Sequence, residues 1–220
     1  MSLWLLFIDE MKSFYKSKVM IVLWIGFPVI SILLHYFQVG SEEMPVFALV
    51  GLIIASLGGT LATVILSTSI VGEKKEHVYE LFLIRPVKRR NILLSKFFAV
   101  YSCLIVATVV ALIFGFVIDV ITSNIALSVM IKDTLKSVAI SIAAMSISCS
   151  IGILIGTLSS SIALAAILSI YIGNQLSLIS IMPSIFFPEL DPLVFSIIVG
   201  VVATCLIWTL IILIFRRKQF

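Results

Sequence analysis

Five stretches of this chain contain no Asp, Glu, Lys or Arg: residues 19–41, 44–72, 97–118, 137–188 and 192–215, with lengths of 23, 29, 22, 52 and 24. A helix needs about 20 predominantly apolar residues to cross a bilayer, where every backbone polar group must find its partner inside the segment. Four stretches therefore hold one span each, and the stretch of 52 holds two spans and a turn. The turn is placed at Ser159-Ser160-Ser161, where three hydroxyls interrupt the aliphatic pattern. The expected fold is an all-α integral membrane domain over residues 1–220, with spans at 19–37, 46–71, 97–118, 137–158, 162–178 and 193–215.

Composition closes the other routes. Of 220 residues, 61% are hydrophobic and 12% charged, against about 25% charged in a soluble domain. Too little polar surface remains to cover a water-soluble globule, which excludes a soluble enzyme and a disordered chain. The three cysteines, Cys103, Cys149 and Cys205, are widely spaced in apolar stretches. They are expected to be small buried hydrophobes rather than a disulfide framework.

Thirteen of the fifteen basic residues fall on one side of the expected topology. Lys12, Lys16 and Lys18 precede the first span; Lys74, Lys75, Arg85, Lys88, Arg89, Arg90 and Lys96 surround the loop after the second; Arg216, Arg217 and Lys218 end the chain. The positive-inside rule places that side and both termini in the cytoplasm, in a multi-pass protein of the cytoplasmic membrane. Glu42 and Glu43 then lie outside. No cleavable leader is expected, since the first residues lack a basic region and Asp9 and Glu10 follow them. Residues 2–17 read as an amphipathic interfacial helix, with Leu3, Phe7, Met11 and Phe14 on the lipid side and Asp9, Lys12, Ser13 and Lys16 on the polar side. The alternative is a plain extension of the first span.

Three spans carry small residues at every fourth position. Gly51, Ala55, Gly59, Thr63 and Ser67 form one row; Ala144, Ser148, Gly152 and Gly156 a second; Ser161, Ala165, Ser169, Gly173 and Ser177 a third. Small rows let helix backbones approach closely in lipid. They serve packing within the bundle, or line a sliding interface or polar pathway. The third row is expected to face a partner subunit or the pathway.

The membrane interior holds no acidic or basic side chain at mid-span, which argues against an ion-driven carrier. Two histidines 42 positions apart, His35 and His77, and isolated cysteines supply no local metal-ligand spacing. The serines have no base at span depth, so intramembrane nucleophilic catalysis lacks an activator. Residues 179–192 contain Pro183, Pro188 and Pro192 beside Phe186-Phe187. Proline spacing this tight breaks a continuous helix, and the segment reads as re-entrant or as an exposed loop.

The loop after the second span runs from an acidic and basic half, Glu73 to Glu80, through Val78, Leu81 and Phe82, to Pro86 and a basic cluster. It reads as a short helix over 73–85, ended by Pro86 and suited to docking a soluble protein. A solvated loop touching anionic lipid is the alternative.

Six spans, an amphipathic N-terminal helix and the matching positions Glu80, Phe82, Leu83, Pro86, Val87, Arg89, Ile92, Leu93, Leu94 and Lys96 resemble the type 2 permease subunit of ATP-binding-cassette transporters. The sequence departs from that pattern at His77-Val78, Asn91 and Ser95, where Gly-Thr, an acid and Gly are common. The resemblance implies a dimer with a second copy or a homologous permease, bound to cytoplasmic ATPase subunits. It makes 73–85 the coupling helix, with Glu73, Glu76, Val78, Glu80, Leu81, Phe82, Arg85, Pro86 and Arg89 docking the ATPase. Export is the implied direction; a non-transporting sensor subunit of the same fold is the alternative. No Gly-x-x-x-x-Gly-Lys-Ser/Thr phosphate loop occurs, so the chain itself is expected to be no enzyme and to hold no cofactor, with ATP and Mg on the partner. Membrane lipid is an expected partner and nucleic acid is not. The interface or pathway candidates are Gly51, Ala55, Gly59, Thr63, Ser161, Ala165, Ser169, Gly173 and Ser177.

Overall fold

With no water to bond, an apolar backbone is satisfied only by its own helix, and the described parts of the apolar stretches are helical except for a break at residues 159–161. A computed structural model describes residues 3–36, 46–76, 89–122, 127–179 and 192–217. Among these residues there are seven helices and no strand. They are α1 (Leu3–Tyr15), α2 (Lys18–Tyr36), α3 (Val46–Lys75), α4 (Arg89–Thr122), α5 (Leu127–Leu158), α6 (Ile162–Ile179) and α7 (Pro192–Arg217). The chain leaves α5 with Ser159 N–H donating to Ile155 O at 2.8 Å. Ser161 Oγ then accepts from Leu164 N–H at 3.2 Å and caps α6.

Among the described residues, length and composition by themselves pick out fewer crossings than the six expected. Four helices are long and apolar enough to cross a bilayer by themselves: α3, α4, α5 and α7. The α1 and α2 helices satisfy that test only together, across a bend of 67°, and the part of α6 whose side chains are described, Ile162–Gln175, is apolar but shorter than a span. Two helices extend beyond the expected spans. The α5 helix begins at Leu127 rather than 137, and α4 at Arg89 rather than 97. Charged residues such as Lys132 and Lys136 end an apolar run without ending a helix, since they suit an exposed helical turn.

The α3 helix packs along α5 and α6, while α5 also meets α4 and α7; α4 also carries α1 and α2. A continuous core joins Met20 and Phe27 of α2, Ile54 and Leu66 of α3, Leu104 of α4 and Met145 of α5. Cys103 and Cys149 are buried as expected, but Cys205 is exposed on α7. Apart from the face carrying Gly200 against Ala143, α7 presents Val194, Ile198, Val201, Leu206 and Leu213 outward. An apolar stretch in lipid needs no protein cover on every side, so its sequence does not tell which cysteine is enclosed.

The small-residue rows meet each other inside the chain. A Cβ on Gly152 would stand 2.9 Å from Thr63 Cα, and one on Gly156 would stand 3.1 Å from Ser67 Cα. A Cβ on Gly173 would meet Thr63 Oγ1 and stand 3.2 Å from Thr60 Cα. Ser169 Oγ and Ser67 Oγ lie 2.6 Å apart, buried, and Thr63 Oγ1 donates to Ser169 O at 3.1 Å. The α3 row is thus the shared seam for α5 and α6.

Candidate functional site

Charged side chains of three helices meet at the end of the bundle where α3 stops and α4 starts. Glu73 is the third residue from the end of α3, and Lys96 is in the second turn of α4. Their side chains form an ion pair. Glu10 of α1 completes the group, its Oε1 2.8 Å from Lys96 Nζ. The cation is enclosed, with 2% of its side chain exposed, whereas Glu10 and Glu73 keep 22% and 24%. The Phe14 ring lies 6.0 Å from the ammonium, at the outer limit of a cation–π contact.

Local structure explains how α1 delivers Glu10. The α1 helix buries a line at spacings of four, Leu6, Glu10 and Phe14, against the bundle. Expecting Leu3, Phe7, Met11 and Phe14 to form one apolar side left Leu6 and Glu10 out of that line; Met11 is exposed. After Tyr15 the chain bends, and the 67° angle between α1 and α2 turns α1 across the start of α4.

The residue after Glu73 ties the same end of α3 to another element. Lys74 Nζ donates to Thr157 O at 2.9 Å and reaches Ser159 O at 3.5 Å. These carbonyls lie where α5 ends, where the last helical acceptors lack intrahelical donors and the dipole favours a cation. Consecutive residues Glu73 and Lys74 therefore connect α3 with α4, with α1 through Lys96, and with the α5–α6 turn.

A buried cation bridging two carboxylates holds their three helices in one geometry, and removing the lysine leaves two uncompensated carboxylates. Among the described residues there is no group of three or more His, Cys, Asp or Glu arranged to hold a metal.

The expected docking residues divide. Glu73 closes the second span and joins the ion cluster, so the helix expected over 73–85 does not begin separately at Glu73. Glu76 stands exposed in the following turn, its N–H bonded to Gly72 O at 3.1 Å. Val78, Glu80, Leu81, Phe82, Arg85 and Pro86 lie outside the described residues, as do the Arg89 side chain and residues 180–191 of the segment 179–192 expected to be re-entrant.

Among the interface candidates, Gly51 faces α5, where a Cβ would stand 2.9 Å from Ser137 Cβ and Ser141 Oγ donates to Gly51 O at 3.2 Å. Ala55, Gly59 and Thr63 are buried on α3. Ala165, buried with Val71, and Ser169 and Gly173 pack toward α3, while Ser161 is the α6 cap. Ser177 has its side chain outside the described residues. The described part of the third row packs on α3 of its own chain. Spacing reveals a close-packing face but not the helix that fills it.

Sequence reasoning passed over Glu10 and the inward turn of Lys96. The available signal was an acid at the centre of the Leu6–Glu10–Phe14 line.

The profile described as ABC-2 family transporter protein matches residues 4–191 of the chain. A search among individual curated proteins found no match.

Proposed function

Because the chain belongs to the ABC-2 family of transporter proteins, we propose that this membrane permease subunit works in an exporter driven by a separate cytoplasmic ATPase. ATP and Mg are held by that partner, and two permease subunits, identical or homologous, form the membrane unit. The Lys12, Lys16 and Lys18 group and the basic loop face the cytoplasm, in keeping with the positive-inside rule.

The observation that carries this reading is the Glu73–Lys96 ion pair across the two feet of the loop at residues 77–88. A force applied to an untethered loop would dissipate in its backbone. With the feet tied, displacement of the loop moves the ends of α3 and α4 together, and the Lys74 contacts carry it to the α5–α6 turn. The loop supplies Val78, Leu81 and Phe82 as apolar anchors for the ATPase groove, with Glu80 at its mouth, and Arg89 secures the following turn to phosphate headgroups or acidic partner residues.

The test is capture of the ATPase by permease variants, joined to ATP-driven flux in proteoliposomes. Phe82→Asp should lose capture and transport. Lys75→Ala, which removes an exposed charge beside the cluster, should retain both, because a rim charge matters less than a buried anchor. Normal capture and flux by Phe82→Asp would place docking elsewhere. Normal capture and ATP turnover by the wild-type assembly, without flux of any solute or lipid tried, would favour the sensor reading.

A further inference from the structure

Beside the ion cluster, the bend between α1 and α2 leaves an open groove against α3, with a volume of about 280 Å³. Phe14, Met20 and Ile65 give it apolar walls, and Ser17, Thr68 and Ser69 add hydroxyls. Its volume falls just below the ~300–1,000 Å³ of sites that enclose drug-sized molecules. An open trough lined this way suits part of a flexible hydrocarbon chain better than a compact polar solute.

The charges around it choose the headgroup. Lys16 and Lys18 flank Ser17 of the groove wall, Lys12 lies one turn earlier, and all three are exposed. Lys18 also opens α2, where the positive end of the helix dipole adds to the potential. On α1 the acids are Asp9, which is exposed, and Glu10, which is engaged with Lys96. Across the groove on α3, Glu73 stands one turn beyond Ser69 and is likewise paired with Lys96, while Lys74 and Lys75 follow it. Trp4 and Tyr15, 65% and 59% exposed on α1, are side chains that favour the headgroup level of a membrane.

We infer that this groove binds an anionic phospholipid, with one acyl chain between the α1–α2 bend and α3 and the phosphate held by Lys16 and Lys18. The site does not depend on what the protein transports. Its position one turn from Glu73 places a lipid headgroup beside the cluster that joins α1 to α3 and α4.

The full chain, purified in neutral detergent, is given phosphatidylglycerol or phosphatidylcholine with identical acyl chains, and retained lipid is read by native mass spectrometry. The wild-type chain should retain phosphatidylglycerol preferentially. The Lys16→Gln/Lys18→Gln variant should lower that preference by on the order of tenfold. Lys132→Gln, which removes an exposed charge near the opposite end of α5, should leave it intact. Ser69→Trp should fill the groove and reduce retention of both lipids, with its melting temperature without added lipid checking the fold. Met20→Trp supplies a second groove-filling variant if Ser69→Trp melts early. Equal retention of both lipids by the wild type, an unchanged preference after loss of the two lysines, or unchanged retention in a stable groove-filled variant would overturn the assignment.

Discussion

Lys96 and Glu73 form an ion pair across the loop that separates them, joining the second turn of α4 to the last turn of α3, while Glu10 holds the same ammonium at 2.8 Å from α1. The arrangement is asymmetric in its consequences. Loss of either acid leaves the lysine one partner, whereas loss of the lysine leaves two carboxylates facing each other.

Lys96→Met should therefore destabilise the protein more than Glu10→Gln, by about 3–5 kcal/mol for the lysine variant. Adding Glu10→Gln and Glu73→Gln to Lys96→Met should restore much of the loss, because the stranded charges go with it. Thermal and denaturant melting in detergent measures each variant. A Lys96→Met protein as stable as the wild type would show that the cluster does not hold the helices together.

Close approach between α3 and α5 gives a second expectation. A methyl group added at Gly152 would meet Thr63 Cα and O, each at 2.9 Å, and neither can rotate away because both belong to the backbone. At Gly26 a Cβ meets nothing within 4 Å. Gly152→Ala should cost about 1–3 kcal/mol from overpacking, and Gly26→Ala should be neutral or slightly stabilising in a helix. Comparable melting of the two variants would mean that α3 and α5 are not in this contact.

The helical and apolar character was legible because lipid imposes it locally: a run such as 97–118 has few ways to satisfy its backbone. Other features depend on partners remote in sequence. Lys96 sits in a basic cluster and reads as one more solvated charge until Glu10 and Glu73 are brought to it. Gly173 announces a tight contact through its spacing, but whether Thr63 of its own chain or another subunit fills that contact is decided by helix arrangement. Cys205 is as apolar in context as Cys149, yet it stands on an exposed face.

Gly173→Leu should unfold or loosen the single subunit, since its side chain would drive into Thr63 and Thr60 of α3. Ser67→Ala, which removes the hydroxyl contact with Ser169 at 2.6 Å, should cost only about 0.6 kcal/mol, because polar contacts between helices in lipid contribute modestly. Protease resistance of the detergent-solubilised monomer distinguishes them. A resistant Gly173→Leu monomer that fails to pair would instead place the row against another subunit.

The last expectation concerns Lys74, whose amine donates to Thr157 O at 2.9 Å and reaches Ser159 O at 3.5 Å. The shorter bond is in the ordinary range and carries more of the interaction; the longer one is weak. Lys74→Ala removes a charged donor from carbonyls at the end of α5, at a cost of about 1.5–3 kcal/mol. Lys75→Ala, on the exposed neighbour, should change stability by less than about 0.5 kcal/mol. Hydrogen exchange supplies the local readout: amides of residues 159–164 should exchange faster in Lys74→Ala and remain unchanged in Lys75→Ala. Under the proposed mechanism, Lys74→Ala should also reduce substrate moved per ATP while leaving ATPase capture intact, because it cuts the path from α3 to the α5–α6 turn without touching Val78, Leu81 or Phe82. Normal protection of that turn together with normal flux per ATP would show that Lys74 is not a mechanical link.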